Sequence, residues 1–163
     1  MLKQTEPHEN TVKFYAGNNN ENKVVFVIGP PCSGKSTFIK SNFPDRKHIN
    51  IFDYQGKMVT VQTLMEAYDK CKEDIVKSIK AGEKVVIEHT LLKAVRRKPY
   101  IDAIKEVSKQ EIDVYFLIPT KEKHLENFKK RGISLLENEI DDYCQFIELP
   151  TVDEGFANVV ICH

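Results

Sequence analysis

The sequence predicts an α/β protein built on a parallel sheet of about five strands, with helices on both faces. Two observations support this prediction. Apolar runs of strand length alternate five times with segments of helical periodicity along the 163 residues. The first run, Val24–Ile28, leads through a glycine-bounded loop directly into a helical segment. Such alternation favours parallel pairing, because each helix returns the chain to the sheet edge where the next strand begins.

The first half of the chain holds three predicted strands and two predicted helices. They are the strands 24–28, 47–52 and 84–88 and the helices 35–43 and 61–80. Pro44 ends the first helix because proline cannot continue the helical hydrogen bonds. Thr60 suits the N-cap of the long second helix, and Gly82 suits the position beyond its end. The third strand is an unbroken apolar run, which predicts a place inside the sheet.

The second half continues the alternation. Its elements are a helix with Pro99 in its first turn, a strand 112–118, a helix 121–131, a helix through about residue 146, and a strand 157–162. Thr120 is expected to cap the helix that Gly132 closes. Ser134 begins a capping box, S-L-L-E, which predicts the start of the following helix.

Composition favours a single globular domain over residues 23–163, preceded by a flexible polar lead-in at residues 1–22. Hydrophobic residues make up 41% of the chain and charged residues 29%, which is ordinary for a protein with a proper core. Basic and acidic residues both number 24, so binding of long nucleic acid by net charge alone is excluded. The cysteines are scattered without C-x-x-C spacing, which predicts neither a zinc site nor a disulfide framework.

The N-terminal residues contain no apolar signal region, and no apolar run approaches the roughly 18 residues of a membrane span. We therefore expect a cytoplasmic protein that does not contact a membrane. The sequence leaves the oligomeric state open.

The loop after the first strand has the form G-x-x-x-x-G-K-S, which is typical of loops that bind nucleotide phosphates. The backbone N–H groups of such a loop and the N-terminus of the next helix form a concave anion site. We expect Lys35 to reach the β- and γ-phosphates of ATP, and Ser36 to place its hydroxyl on Mg²⁺. The predicted nucleotide-binding residues of this segment are Gly29, Pro30, Pro31, Cys32, Ser33, Gly34, Lys35, Ser36 and Thr37.

Polar residues at the ends of the second and third strands are further candidates, because ligands of open parallel sheets bind beyond the carboxyl ends of the strands. Asp53 is expected to act as a general base on a hydroxyl acceptor or to hold water bound to Mg²⁺. A plain turn aspartate is the alternative. Glu88 is expected to hold the water shell of the metal, and His89 and Thr90 to contact the substrate.

Basic residues on two helical segments can supply the positive charge that phosphoryl transfer needs. Arg131 ends the segment 129–131, and we expect it to contact the nucleotide and to act in catalysis from a helix that closes over it. Arg96 and Arg97 are expected to bind acceptor phosphates. In each case the alternative is a solvated helix end, where the helix dipole favours Lys and Arg.

Over about residues 23–132 the chain resembles the 5′-polynucleotide kinase branch of the P-loop kinases and, more loosely, the zeta-toxin-like ATP-dependent kinases. The segments that carry the resemblance are 29–37, 49–50 with 53–54, the third strand with Thr90, and 125–132. The tail segments 146–150 and 153–156 look like the segment that closes many such ATPases. The resemblance implies a P-loop NTPase fold with a small helical lid, and phosphoryl transfer from ATP–Mg²⁺ to a 5′-hydroxyl. It also implies that Lys35 and Ser36 bind phosphate and metal, and that Arg131 is the lid arginine.

The chain departs from this family on the acceptor side. The family's catalytic segment is usually I-N-R-D-D-x-R, whereas residues 49–55 are I-N-I-F-D-Y-Q. Phe52 therefore stands at the position of the first aspartate, the family's base, and Gln55 at that of the arginine. The family's D-T-N after the third strand is H-T-L here. Either Asp53 has taken the role of the base, or the acceptor differs, or transfer is reduced.

These features favour a small ATP-dependent kinase whose acceptor is a hydroxyl of a polynucleotide 5′ end or of a small molecule. One alternative is a catalytically degenerate ATP-binding module with a signalling or scaffolding role. Another is a P-loop ATPase that uses water as the acceptor.

Overall fold

The computed structural model describes residues 23–133 and 137–163. The predicted lead-in at residues 1–22 and the capping box predicted to begin at Ser134 lie outside the described residues. The strands are β1 (Val24–Ile28), β2 (Lys47–Asn50), β3 (Val85–His89), β4 (Ile112–Leu117) and β5 (Asn158–Cys162). The helices are α1 (Lys35–Asn42), α2 (Val61–Lys80), α3 (Ala94–Val107), α4 (Lys121–Lys130) and α5 (Glu137–Cys144), with short 3₁₀ helices at Ile51–Tyr54 and Val152–Glu154.

β1 lies at the centre of a fully parallel sheet with the strand order β2-β3-β1-β4-β5. Every residue of β1 is buried, because strands flank both of its edges. The predicted five-stranded parallel sheet is therefore confirmed. β3 neighbours β1, with His89 paired to Ile28, so Glu88 lies beside the start of the loop that follows β1.

Alternate residues of β1 enter two apolar cores, one on each face of the sheet. Phe26 belongs to the core that includes Ile75 of α2 and Ile101 of α3. Val27 belongs to the other core, with Phe38 of α1. Full burial of a side chain of this size contributes about 1.5–3 kcal/mol. The two cores thus hold the sheet rigid below the carboxyl ends of its strands. Helices cover both faces, as predicted.

β2 ends two residues earlier than predicted. The side chain of Asn50 accepts a hydrogen bond from the backbone N–H of Phe52 at 3.0 Å, which turns the chain into the first 3₁₀ helix. Local bonds of this kind compete with the pairing of a strand. As a result, Phe52 and Asp53 lie on a turn at the carboxyl edge of the sheet.

α3 begins at Ala94, so the prediction that Pro99 lies in the first turn of a helix is wrong. Pro99 lies in the second turn, where its missing N–H leaves the carbonyl of Val95 without the usual helical donor. Val95 is well exposed, so this cost falls at the surface. By contrast, α2 spans the predicted residues, and Thr60 accepts a hydrogen bond from the backbone N–H of Thr63.

Within the described ranges, no helix combines the length and the apolar character that a membrane crossing requires.

Candidate nucleotide-binding site

Residues 29–36, the glycine loop, connect β1 to α1 at the carboxyl edge of the sheet. Gly29 has no room for a side chain, because a Cβ atom would collide with the carbonyl oxygen of Leu117. Gly34 has a φ of 91° and turns the chain into α1 as its N-cap, while Cys32 has a φ of 58°. Left-handed residues in such a turn aim successive N–H groups to one side and make a concavity that binds anions.

The side chain of Lys35 is buried inside the glycine loop. Its ammonium donates hydrogen bonds to the carbonyl oxygens of Gly29 at 3.0 Å and Pro30 at 2.7 Å, and to Oγ of Ser33 at 3.4 Å. Burial lowers the pKa of Lys35 to about 8, although the negative charge of Glu88 opposes this shift. The ammonium of Lys35, which can lose its proton near this pH, therefore lies inside the loop that the motif predicts to bind phosphate.

Glu88 is buried at the centre of a hydrogen-bond cluster. Oγ of Ser36 is 2.7 and 3.0 Å from its two carboxylate oxygens. Nε2 of His48 and Nδ2 of Asn50 donate to Oε2 at 2.7 and 3.1 Å. Asn50 pairs with Glu88 in the register of β2 and β3, and His48 projects from the same face two residues earlier.

Opposing effects set the pKa of Glu88. Burial raises it, but hydrogen bonds from His48 and Ser36, together with the charges of His48 and Lys35, outweigh burial and hold the pKa below its usual value. The carboxylate is therefore ionised at neutral pH. An ionised carboxylate beside a hydroxyl offers the hard oxygen ligands that Mg²⁺ prefers, so Ser36 and Glu88 fit this metal.

α4 contacts the outer side of the glycine loop. Nε2 of His124 donates to the carbonyl oxygen of Pro31 at 2.6 Å, and Nδ2 of Asn127 donates to that of Cys32 at 3.0 Å. Burial lowers the pKa of His124, and the nearby charge of Lys35 lowers it further, although the bond to Pro31 acts in the opposite direction. Arg131 follows as the C-cap of α4.

The loop, the ends of β2 and β3 and the end of α4 surround one pocket of about 430 Å³. It combines the cationic residues of the loop and of α4 with the carboxylate at the end of β3. Its lining residues are Pro31, Cys32, Ser33, Gly34, Lys35, Ser36, Asn50, Phe52, Glu88, Phe128, Arg131 and Ile133. The structure thus brings together most of the predicted nucleotide-binding residues with Glu88 and Arg131.

Asp53 lies outside the lining of this pocket. It is exposed on the first 3₁₀ helix, and its charge contributes to raising the pKa of Tyr54 and Cys71. Phe52 lines the pocket instead, with 45% of its surface exposed. The position where the resemblance implies a catalytic carboxylate therefore carries a phenyl ring.

His89 is fully buried next to Glu88 and has internal partners. The backbone N–H of Thr90 donates to Nδ1 of His89 at 2.8 Å, which leaves the proton on Nε2. Nε2 then donates to the hydroxyl of Tyr100 at 3.0 Å, and that hydroxyl donates to the carbonyl of Tyr68 at 3.2 Å. Burial lowers the pKa of His89 to about 3. Neither His89 nor Thr90 lines the pocket.

Arg96 and Arg97 also lie outside the pocket lining. Arg97 is buried and forms a two-pronged ion pair with Glu154, with N–O distances of 2.7 and 3.1 Å. Its Nη1 donates to the carbonyls of Leu91 and Glu148, both at 2.9 Å. Arg96 is exposed on α3, so it is the arginine of this pair that solvent reaches.

Sequence patterns alone did not identify His48, Asn50, His124 and Asn127. The alternation of His48 and Asn50 at the carboxyl end of β2 is a signal that could have placed both on one face toward β3. The spacing of His124 and Asn127 on one helix face is a weaker signal, because nothing local relates that face to the glycine loop.

No protein-family model matches the chain. The chain is 26% identical over 159 residues to a bifunctional polynucleotide phosphatase/kinase of Schizosaccharomyces pombe, a match that covers 90% of this chain and 35% of that protein. This chain thus spans about a third of the length of the curated relative it matches.

The solved structures of similar fold include the following two. A chain of the Pnkp1/Rnl/Hen1 RNA repair complex matches with a TM-score of 0.64 and 16% identity, covering 79% of this chain and 46% of its own. A gluconokinase from Sinorhizobium meliloti matches with a TM-score of 0.63 and 15% identity, covering 86% of this chain and 82% of its own. The resemblance to the P-loop kinases is therefore confirmed, and the chain has their fold.

Proposed function

We propose that this chain is an ATP-dependent phosphotransferase that moves the γ-phosphoryl group of ATP–Mg²⁺ to a hydroxyl acceptor. The observation that carries the proposal is the single pocket in which Lys35, Ser36, Glu88 and Arg131 meet. Cytoplasmic action is part of the same proposal.

The proposed roles follow from charge and position. The N–H groups of the glycine loop and the N-terminus of α1 hold phosphate oxygens, and Lys35 leaves the loop carbonyls to reach the β- and γ-phosphates. Arg131, which lines the same pocket, stabilises the charge that develops on the transferred group. Phosphoryl transfer needs little covalent chemistry from the protein, so such positioned cations carry most of the catalysis.

Mg²⁺ belongs to this proposal through the oxygen donors of Ser36 and Glu88. When bound, the ion supplies neutralisation of phosphate charge. His48 and Asn50 hold the carboxylate of Glu88 in place through the hydrogen bonds described above.

A polynucleotide 5′ end is the first acceptor to test. It is supported by the resemblance over residues 23–132 and by the name of the Schizosaccharomyces pombe relative. A small-molecule hydroxyl is the second, because Phe52 and Gln55 replace the family's aspartate and arginine on the acceptor side. With either acceptor, Asp53 serves as the base only by turning toward the pocket from its exposed position.

A degenerate ATP-binding module, or an ATPase, is the competing function. One observation favours it: the pocket is lined by Phe52 at the position of the base, while Asp53 lies outside the lining.

The test is a transfer assay with γ-labelled ATP and Mg²⁺ against 5′-hydroxyl RNA and DNA oligonucleotides, sugars and polyols, with ATP binding measured in parallel. We expect labelled product from at least one acceptor class, and loss of both binding and transfer in Lys35→Ala. Clear ATP binding without transfer to any acceptor points to the binding module. Steady phosphate release without an acceptor points to the ATPase.

A further inference from the structure

Four consecutive backbone carbonyls of the glycine loop each accept a hydrogen bond from a side chain. Lys35 donates to the first two, at Gly29 and Pro30. The next two, at Pro31 and Cys32, take their donors from His124 and Asn127 of α4. The loop is therefore held from inside by its own lysine and from outside by a helix more than ninety residues away in sequence.

The two bonds from α4, here termed the α4 tie, are built from one helix face. His124 and Asn127 are three residues apart and so point the same way. The ring of His124 is buried, and its centroid lies 5.0 Å from that of Phe128. This packing fixes the ring, so its bond to Pro31 is held by the core of the protein rather than by a mobile surface side chain.

The tie acts on the loop at a strained point. Cys32 has a φ of 58°, a left-handed conformation that residues with side chains adopt at a cost. Asn127 binds the carbonyl of this residue. When Lys35 turns to a phosphate, it releases Gly29 and Pro30, whereas the α4 tie can stay. The tie is thus suited to hold the loop's shape in both states.

The same helix presents Arg131 to the pocket. Arg131 follows Asn127 by four residues, a rise of about 6 Å along a helix. A bond that fixes Asn127 to Cys32 therefore also sets the distance of Arg131 from the phosphate-binding side of the loop.

We propose that His124 and Asn127 are positioning residues, which fix α4 to the glycine loop so that Arg131 meets the γ-phosphate of bound ATP at a set distance. The inference rests on the proposed nucleotide site and adds two residues to it. The inference requires that loss of the α4 tie weakens ATP binding because Arg131 no longer lies at the right distance from the γ-phosphate.

The experiment is a double-mutant cycle read by calorimetry. Dissociation constants for ATP and ADP, each with Mg²⁺, are measured for the wild type, Asn127→Ala, Arg131→Ala and the double variant. We expect Asn127→Ala to weaken ATP binding by about fivefold to tenfold, the scale of one lost hydrogen bond, with a smaller change for ADP. In the Arg131→Ala background, Asn127→Ala should not lower the preference for ATP over ADP any further.

Two controls separate positioning from folding. Glu126→Gln alters the exposed neighbour of Asn127 and should keep wild-type affinity. His124→Gln retains a side-chain N–H donor and should restore most of what His124→Leu loses, with thermal unfolding measured for each variant. If Asn127→Ala does not fold, the His124 pair in the Arg131→Ala background provides the same cycle.

The inference is overturned if the effects of Asn127→Ala and Arg131→Ala multiply, or if folded Asn127→Ala weakens ATP and ADP equally. It is also overturned if wild type and Asn127→Ala bind ATP alike, which leaves the proposed function standing. Failure of the wild type to bind either nucleotide defeats the proposed function as well.

Discussion

At the scale of the single residue, Lys35 combines a positive charge with burial. Its pKa of about 8 means that the side chain is charged at neutral pH and loses its proton as the pH rises through about 8. Phosphate charge stabilises the protonated form, so binding of ATP raises the pKa of Lys35 again. ATP binding should therefore be linked to uptake of a proton above pH 8.

We predict that ATP affinity is flat below pH 8 and falls above it by up to tenfold per pH unit, since the neutral lysine must first be protonated. Calorimetry at pH 8.5 in two buffers of different ionisation enthalpy measures the proton taken up. Lys35→Arg is the control, because guanidinium does not titrate in this range and its binding should show no uptake. Equal heats in both buffers for the wild type contradict the assignment.

Phe52 is the second residue of functional interest, because its side chain lines the pocket at the position where the resemblance implies a catalytic base. Phe52→Asp should raise transfer to a 5′-hydroxyl oligonucleotide by about tenfold or more, since a positioned general base contributes on the order of 10² to 10⁴-fold. Initial rates with labelled ATP measure the effect. Phe52→Asn has the same shape without the charge, so equal rates in both variants argue against a base at this position.

At the scale of elements, Arg97 fastens α3 to the segment before β5. Its guanidinium is buried and binds Glu154 together with two backbone carbonyls. Arg97→Met should lower the free energy of unfolding by about 3–5 kcal/mol, because Glu154 and both carbonyls lose their partner. Denaturant unfolding measures this loss.

The matched control is Lys98→Met on the same helix. Lys98 forms an exposed ion pair with Asp102, and its side chain is 74% exposed. Such pairs contribute about 0–1 kcal/mol, so the unfolding free energy should change little. A similar loss in both variants refutes the special role of the buried pair.

The elements themselves were largely predictable, for physical reasons. β1 and α2 have patterns that depend on burial alone, and their ends carry local signals such as the Thr60 cap. The end of β2 was not predictable, because one side-chain bond from Asn50 decides it. The place of Pro99 in the second turn of α3 was also not predicted, since proline is tolerated there because Val95 faces solvent.

The candidate site was likewise predictable only in part. The loop motif and the strand ends predicted the region of Lys35, Ser36 and Glu88, because the topology of a parallel sheet gathers strand ends at one edge. The contacts of His124 and Asn127 join segments far apart in sequence, and no local pattern encodes such contacts. The orientation of Asp53 likewise depends on the geometry of the 3₁₀ helix at Ile51–Tyr54, which the predicted turn at this position does not specify.

At the scale of the whole molecule, two buried histidines make stability depend on pH. Burial lowers the pKa of His89 to about 3 and also lowers that of His124, from an ordinary value of 6.5. Below pH 6.5 these two histidines therefore bind protons in the unfolded chain that they do not bind in the folded protein. Their contribution to stability is complete above pH 6.5 and is lost progressively as the pH falls toward 3.

We predict a loss of about 2 kcal/mol per fully shifted histidine between pH 6.5 and pH 5, a range above the titration of ordinary carboxylates. Urea unfolding at several pH values measures the slope. His89→Gln should reduce that slope while lowering stability at pH 7. An unchanged slope in this variant rules out His89 as its source.

The strand order has a consequence for how such a protein can change over evolution. In the described part of the chain, β2 is an edge strand, whereas the glycine loop rises from the central strand, between two neighbours. Residues of the turn after β2, which carries Phe52, can thus be replaced while only one strand pairing, that of β2 with β3, is disturbed. Substitutions in this turn therefore leave the strand pairings that hold the glycine loop in place.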